Sequence, residues 1–492
     1  KIDMTTARWV IDKHLQNFHI LCKFAGILKT NSFISVEDKA KLSEKLEKLD
    51  LYHRRNTGKS LDATTHKIKE LSFYMFGYRD VCGQVTQKFL FSPLGNLFLK
   101  HLDNNEYIQK IFLTMLWAIP FPHPYIKTDE SIQLYPMRLI FKLLSDERLD
   151  CKLFSYEYIY LISFVKSADQ NSYEKLVQDI LVLRTCAEVK IKHQLTAENS
   201  RSHAYVNAAH EWESYFSKTL TDAGVLQKTD GKIICRLKHG KTETYRKVTS
   251  SEFSIPKQLQ EFVKKLQSAY SFSEMPLNLN DSDRLKIDVI KEIYSFYPKE
   301  LLEEIGELKD EAAYELLHLP RLIEQYADNN NGTEAYLFED VLEMGFNMFY
   351  NVEAKKIGGP GNTDLECLYI TQKRKFAVEA KSTKNKLSGI NSGRLEDHKN
   401  KIKAIYTIVV TPRYVPAVLS DIRNCPIVII RANTFAEFLY NCLINRSSIP
   451  EIDYRYFDEI IIKNLGKDIS SEISNLTMQQ FASNTTMEAY ST

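Results

Sequence analysis

Gly358-Gly359-Pro360-Gly361-Asn362-Thr363-Asp364 leads into the apolar stretch Leu365 to Thr371, and Phe376-Ala377-Val378-Glu379-Ala380-Lys381 follows. Asp364 stands where a glycine-rich loop enters a strand. Glu379 and Lys381 lie two apart on the next strand, and strand side chains alternate faces, so they project on one side. A hairpin connection over Gln372 to Lys375 brings Asp364 near Glu379. Val378 and Ala380 alternate with the charged pair, so an exposed hairpin with surface charges has the same pattern.

Outward from this pair the chain predicts a compact α/β unit at 331–465. A helix, Thr333 to Met344, precedes strands at Asn347–Val352, Asp364–Thr371, Phe376–Lys381, Ala404–Thr411 and Ile427–Arg431. Helices are expected at Ser392–Lys403 and Thr434–Leu443. Residues 466–492, rich in Ser, Thr and Asn, read as a polar tail. Asp328-Asn329-Asn330-Asn331-Gly332 marks a boundary. Before it, 278–330 reads as a helical linker with helices at Asp283–Phe296 and Lys299–Tyr326, the second acidic and solvated.

The first half reads as mainly helical, in two modules at 1–140 and 141–277. Thr5 to Leu28 carries Trp9, Ile11, Leu15, Phe18, Leu21, Phe24 and Ile27 at helical spacing, and Ser35 can cap a second helix. A helix at Ala63–Gly77, the apolar Phe89-Leu90-Phe91 and a helix opened by Ser92-Pro93 suit a winged-helix arrangement, and an all-helical bundle also fits. Arg138 to Leu183 reads as packed helices. The helix His203–Ala223, then Gly224-Val225-Leu226, a turn at Thr229-Asp230-Gly231 and a strand Lys232–Leu237 predict a second winged module with Asp-Gly at the hairpin tip. The fold class expected is therefore α+β.

The 492 residues carry a net charge of only +2, so any nucleic-acid surface has to be local. Lys373 to Lys403 holds ten Lys or Arg against three acids, and Lys228 to Lys247 holds seven against two. Arg54, Arg55 and Lys59 form a third basic loop. Duplex phosphates are the expected contacts of these residues, with Arg or Asn also able to read base edges. Lys228, Lys232, Arg236, Lys238, Lys384, Lys386 and Arg394 are candidate DNA contacts. His398 is expected on a helix surface near phosphate. Eight scattered cysteines, without a Cys-x-x-Cys pair, predict neither a zinc site nor a disulfide framework, but mostly buried thiols in a reducing cytoplasm. No membrane span or signal peptide is expected.

Two carboxylates side by side repel unless a cation lies between them, and Mg²⁺ suits oxygen ligands while keeping several waters. Phosphodiester hydrolysis uses such a metal to polarise the phosphate and lower the pKa of a bound water. Lys381 can orient that water or offset charge developing on the phosphate. The set Glu339, Asp364, Glu379-Ala380-Lys381 resembles the PD-(D/E)xK nuclease superfamily, with Thr363 where Pro is usual, a position that commonly varies. The resemblance implies catalytic Asp364, Glu379 and Lys381, with Mg²⁺ (Mn²⁺ able to substitute) held by Asp364, Glu379 and Glu339.

The layout, recognition modules first and the core last, is similar to type IIS restriction endonucleases of the FokI and AlwI kind. That implies recognition of a short asymmetric site on double-stranded DNA and cleavage at a fixed distance in a bacterial cytoplasm. It also implies a second core, supplied by transient self-association or a partner subunit. The alternatives are a winged-helix regulator with an inactive nuclease fold, and a nicking or repair nuclease.

Overall fold

A computed structural model describes residues 6–13, 17–29, 44, 47–48, 62–79, 89–240, 242–282, 286–307, 311–329, 332, 334–383, 385–445 and 451–481. Ser35, Arg54, Arg55, Lys59, Cys82 and Lys384 lie outside the described residues. The protein mixes helix and sheet, and the chain divides into two compact units. One comprises Lys1–Leu279 with Ile293–Gly306, the other Asn280–Glu292 with Glu307–Asn484.

The first unit is helical with short antiparallel pieces. The helix Asp62–Phe73 turns into β1 (Gly77–Arg79), which pairs antiparallel with β2 (Phe89–Phe91). The Ser92 hydroxyl then accepts from the Gly95 N–H, and Pro93 opens the helix Pro93–Lys100 with a preset φ. The helix expected from Thr5 begins only at Phe18, running Phe18–Lys29. Upstream of it, residues 6–13 are irregular, yet Trp9 and Ile11 are buried. Tertiary bonds override the helical spacing there. Trp9 N donates to Ser163 O at 2.7 Å, its indole N–H donates to Val165 O at 2.8 Å, and Arg8 forks onto Glu211 at 2.7 and 2.9 Å.

Farther on, the helix Ser202–Glu211 passes through a π turn at Trp212–Phe216 into Ser217–Asp222. The hairpin expected to turn at Asp230-Gly231 does not form. Instead β4 (Gln227–Thr229) pairs with β7 (Glu252–Ser254), which also pairs with β3 (Leu153–Phe154). β5 (Ile233–Lys238) pairs antiparallel with β6 (Tyr245–Thr249), so the hairpin closes over 239–244. Gly231 serves a close crossing, since a Cβ there would meet the Ser250 backbone at 2.3 Å.

The second unit is built on a five-stranded sheet in the order β12-β11-β10-β9-β8. β8 (Val352–Lys356), β9 (Leu365–Tyr369) and β10 (Arg374–Ala380) are antiparallel; β10, β11 (Ala404–Thr411) and β12 (Ile427–Arg431) are parallel. Alternation divides the apolar residues between two cores. Leu365, Cys367, Phe376, Val378, Ile408, Val410, Val428 and Ile430 pack with the helices Glu311–Asp328, Ala335–Phe346, Ala432–Ile444, Arg455–Lys463 and Ser470–Phe481. Val409, Ile427 and Ile429 face the other way, against Ile390, Leu395, Tyr414, Val418 and Ile422. Sheets covered on both faces read as nearly continuous apolar runs, as β11 and β12 do.

Several boundaries differ from expectation. The strand placed at Asn347–Val352 starts at Val352, because the Asn347 side chain holds the turn, bonding Ala354 N and O at 2.8 and 2.9 Å. The acidic helix from Lys299 is split into Lys299–Glu304 and Glu311–Asp328, with Gly306 left-handed after the first piece. Leu319, Ile323 and Ala327 of the second piece are core, so it is not a solvated linker. The tail expected from 466 is ordered through the helix Ser470–Phe481, because Ile473, Leu476 and Thr477 recur at i, i+3 and i+4 and are buried. Seven described cysteines are free thiols, but only Cys235, Cys367 and Cys442 are buried, so the expectation of mostly buried thiols is corrected. Among the described residues no helix is long and apolar enough to cross a membrane.

Ile473 is fully buried against the sheet. Ile473→Ala is expected to cost about 2–5 kcal/mol, read from urea unfolding of the second unit. An unchanged midpoint is what a frayed tail would give.

Candidate active site

Strand register brings the two carboxylates together. Leu365 lies opposite Val378 in the β9–β10 pairing, so the next step outward sets Asp364 opposite Glu379. Directly opposed residues of an antiparallel pair share a face. Asp364 is held in line by its own backbone, whose C=O accepts from Ile357 N–H at 3.0 Å. Thr363, buried just before it, donates its hydroxyl to Val378 O at 3.0 Å and ties the start of β9 to β10. The glycine-rich loop supplies the turn into this strand, with Gly359 and Gly361 at left-handed φ of 87° and 76°. Asp364 Oδ2 accepts from the Ala380 N–H at 2.7 Å.

Both oxygens of Glu379 are engaged. Oε1 meets His398 Nδ1 at 3.0 Å and Oε2 accepts from Lys381 Nζ at 3.1 Å. The Glu379 and His398 side chains are almost fully buried (3% and 5% exposed), whereas Lys381 is about one-third exposed at 34%. Burial, and then the neighbouring Glu379 charge, push the Asp364 carboxyl up to about 7; the Ala380 N–H and Lys381 pull the other way.

Among the described residues no three His, Cys, Asp or Glu side chains gather as a cage for a metal. The donor set nevertheless fits a hard divalent ion. Asp364 and Glu379 offer oxygen ligands, their like charges repel inside the fold, and Mg²⁺ takes one or two carboxylates and keeps water for its remaining positions. Glu339, expected as a third ligand, pairs with Lys356 Nζ at 3.4 Å, and its charge is felt at Asp364.

The expected basic residues are distributed differently. Arg394 is exposed on the helix Ser392–Lys401, while Lys386 pairs with Asp281 at 3.7 Å. Lys232, Arg236 and Lys238 are exposed on or beside β5; Lys228 is half-buried and pairs with Asp230 at 2.8 Å. His398 is the residue that sequence reasoning misplaced. It faces the sheet and not solvent, and the signal was Leu395, three residues earlier on the same helical face and part of the core. Thr363 was likewise passed over as a mere variant of the usual proline.

The family profile described as type II restriction endonuclease HgaI, N-terminal domain, matches residues 4–270. The type II restriction enzyme HgaI of Avibacterium volantium is 43% identical over 482 residues, covering 96% of this chain and 97% of that protein. Two solved structures of restriction endonuclease FokI, alone and bound to DNA, align at 11% identity with a TM-score of 0.26. The alignments cover 92% and 95% of this chain, and 98% and 100% of theirs.

A carboxyl raised to about 7 is charged at pH 8 against the preference of the fold. Asp364→Asn keeps an acceptor for Ala380 N–H and removes that charge. In EDTA at pH 8 it should raise the melting temperature by about 2–4 °C for each kcal/mol relieved, measured by scanning calorimetry. Because the folded pKa is raised, the difference from wild type should shrink as pH falls from 7 towards 4. A lower melting point for the variant at pH 8 would refute the strained-carboxylate reading.

Proposed function

We propose, for a chain that belongs to the HgaI family of type II restriction endonucleases, that its second unit is a PD-(D/E)xK nuclease core. In this reading it cuts double-stranded DNA at a fixed distance from a short asymmetric site. The observation that carries the reading is the opposition of Asp364 and Glu379 across one strand register, with Lys381 on the same face as Glu379. Helix Ala335–Phe346, the antiparallel β8, β9 and β10, then helix Ser392–Lys401 and the parallel β11 supply a scaffold consistent with that superfamily.

Asp364 and Glu379 would hold Mg²⁺, with Mn²⁺ able to substitute, and the ion when bound supplies polarisation of the scissile phosphate and a lowered pKa for the attacking water. Lys381, partly exposed and on the Glu379 side of the site, orients that water and offsets charge on the phosphate as it becomes five-coordinate. Glu339, whose charge reaches Asp364, is the third proposed ligand. Arg394 and Lys386 hold duplex phosphates.

Recognition is assigned to residues 1–277, in two modules meeting at about 140, with winged-helix character. The β5–β6 ribbon is the wing of the second. Arg236 lies opposite Lys247 and Lys238 opposite Tyr245, all four exposed, a basic strip suited to backbone contact. Lys228 and Lys232 flank its start. Cutting is assigned to 331–465, extended by the helix that ends at Phe481. One core cuts one strand, so a second core joins by transient self-association or from a partner subunit. The enzyme works in the bacterial cytoplasm.

Digestion of mixed-sequence DNA with Mg²⁺, followed by sequencing of the ends, tests the reading. Ends at one fixed offset from one motif are expected, and none in EDTA. Lys381→Ala should lower cleavage by about 10²–10³-fold and leave duplex binding in a gel shift intact. Ends found only at nicks or junctions, or normal cutting by the variant, would contradict it.

A further inference from the structure

We infer that His398 is a positioning residue for the metal site, holding one oxygen of Glu379 from inside the fold so that the other stays turned towards the cation. The inference rests on the nuclease reading above and adds to it a residue outside the Asp, Glu and Lys set.

The helix Ser392–Lys401 is placed without reference to Glu379. Asn391 caps it, its side chain accepting from Arg394 N–H at 3.0 Å, and Leu395 anchors it in the core formed with Val409 and Ile429. His398 lies one turn beyond Leu395 and meets Glu379 Oε1 at 3.0 Å, with both side chains almost wholly buried. Oε2 of the same carboxylate touches Lys381 Nζ, whose side chain is partly exposed. Glu379 thus has one buried, rigidly mounted partner and one partner at the open side. Asp364 repeats the pattern, because its Oδ2 is bonded by the Ala380 N–H at the end of the central strand β10.

A carboxylate that has to meet a small cation loses affinity if it can rotate away, and partners that orient metal-binding carboxylates are typically worth about 10–100-fold in metal affinity. Hydrogen bonding to a buried charge also has a purely structural use, since an unpaired buried carboxylate is destabilising. The two roles separate by geometry. Asn carries an N–H donor near the place of the His Nδ1, Gln reaches further, and Leu fills the volume with no donor.

The test is Mn²⁺ titration of the full-length protein, with free Mn²⁺ read by electron paramagnetic resonance, alongside melting curves in EDTA. Wild type should show a site that Asp364→Asn abolishes. His398→Leu should weaken Mn²⁺ binding by about tenfold or more and His398→Asn should restore it to nearly the wild-type value, whatever either does to the melting point. The Mg²⁺ concentration for half-maximal cleavage should move in the same order. If His398→Leu does not fold, His398→Gln takes its place, with binding weaker than that of His398→Asn. Wild-type affinity in the Leu or Gln variant, or equal loss in Asn, overturns the role of His398 while the nuclease reading stands. A wild-type protein with no Mn²⁺ site sensitive to Asp364→Asn sinks the nuclease reading itself.

Discussion

Two carboxylates are forced to share one face of a sheet, and the second unit is organised around the cost of keeping them there. Asp364 and Glu379 sit opposite each other at the end of the β9–β10 register. Each would lower its energy by moving apart or into water, since desolvating an ion is costly and like charges repel. The fold holds them with bonds that do not neutralise them fully. The Ala380 N–H takes one oxygen of Asp364, His398 takes one of Glu379, and Lys381 balances the pair from the solvent side. The remaining imbalance appears as the raised Asp364 pKa and is what a divalent cation would relieve.

Such a strained pair needs a stiff support, and the sheet provides it. Ile408, Val410, Val428 and Ile430 are packed on one side and Val409, Ile427 and Ile429 on the other. Among the described residues five helices, Arg455–Lys463 included, cover the first face. The second face is covered locally by the helix that delivers His398 and by the segments around Tyr414, Val418 and Ile422. Close packing on both faces leaves little freedom for β10 to slide, and a slip of one residue would move Glu379 and Lys381 to the wrong side. Thr363 adds a side-chain tie where the backbone ladder of β9 begins.

Much of this was legible in the sequence because the signals were local. β11 and β12 begin and end where their apolar runs do, and Glu379 and Lys381 share a face by simple alternation. The Gly-rich approach to Asp364 was legible for the same reason. What was not legible depended on partners far along the chain. Trp9 and Ile11 repeat at helical spacing but are held in an irregular segment by Ser163, Val165 and Glu211. Asp230-Gly231 has the chemistry of a tight turn, yet the glycine is required by the backbone of Ser250, and β4 leaves for another sheet. Polar composition hid the helix Ser470–Phe481, whose three inward positions suffice to bury it. His398 could be placed only by knowing which face of its helix Leu395 occupies, and Glu339 pairs with Lys356, whose approach no local pattern announces.

The proposed nuclease activity requires that Asp364 and Glu379 together receive a divalent cation. Crystals of the full chain soaked in Mn²⁺, with data collected at the manganese absorption edge, test it most directly. An anomalous peak within bonding distance of an oxygen of each carboxylate is expected, with Lys381 Nζ displaced from Glu379 Oε2. A peak elsewhere with the Lys381–Glu379 pair intact, or none at full occupancy conditions, would contradict it.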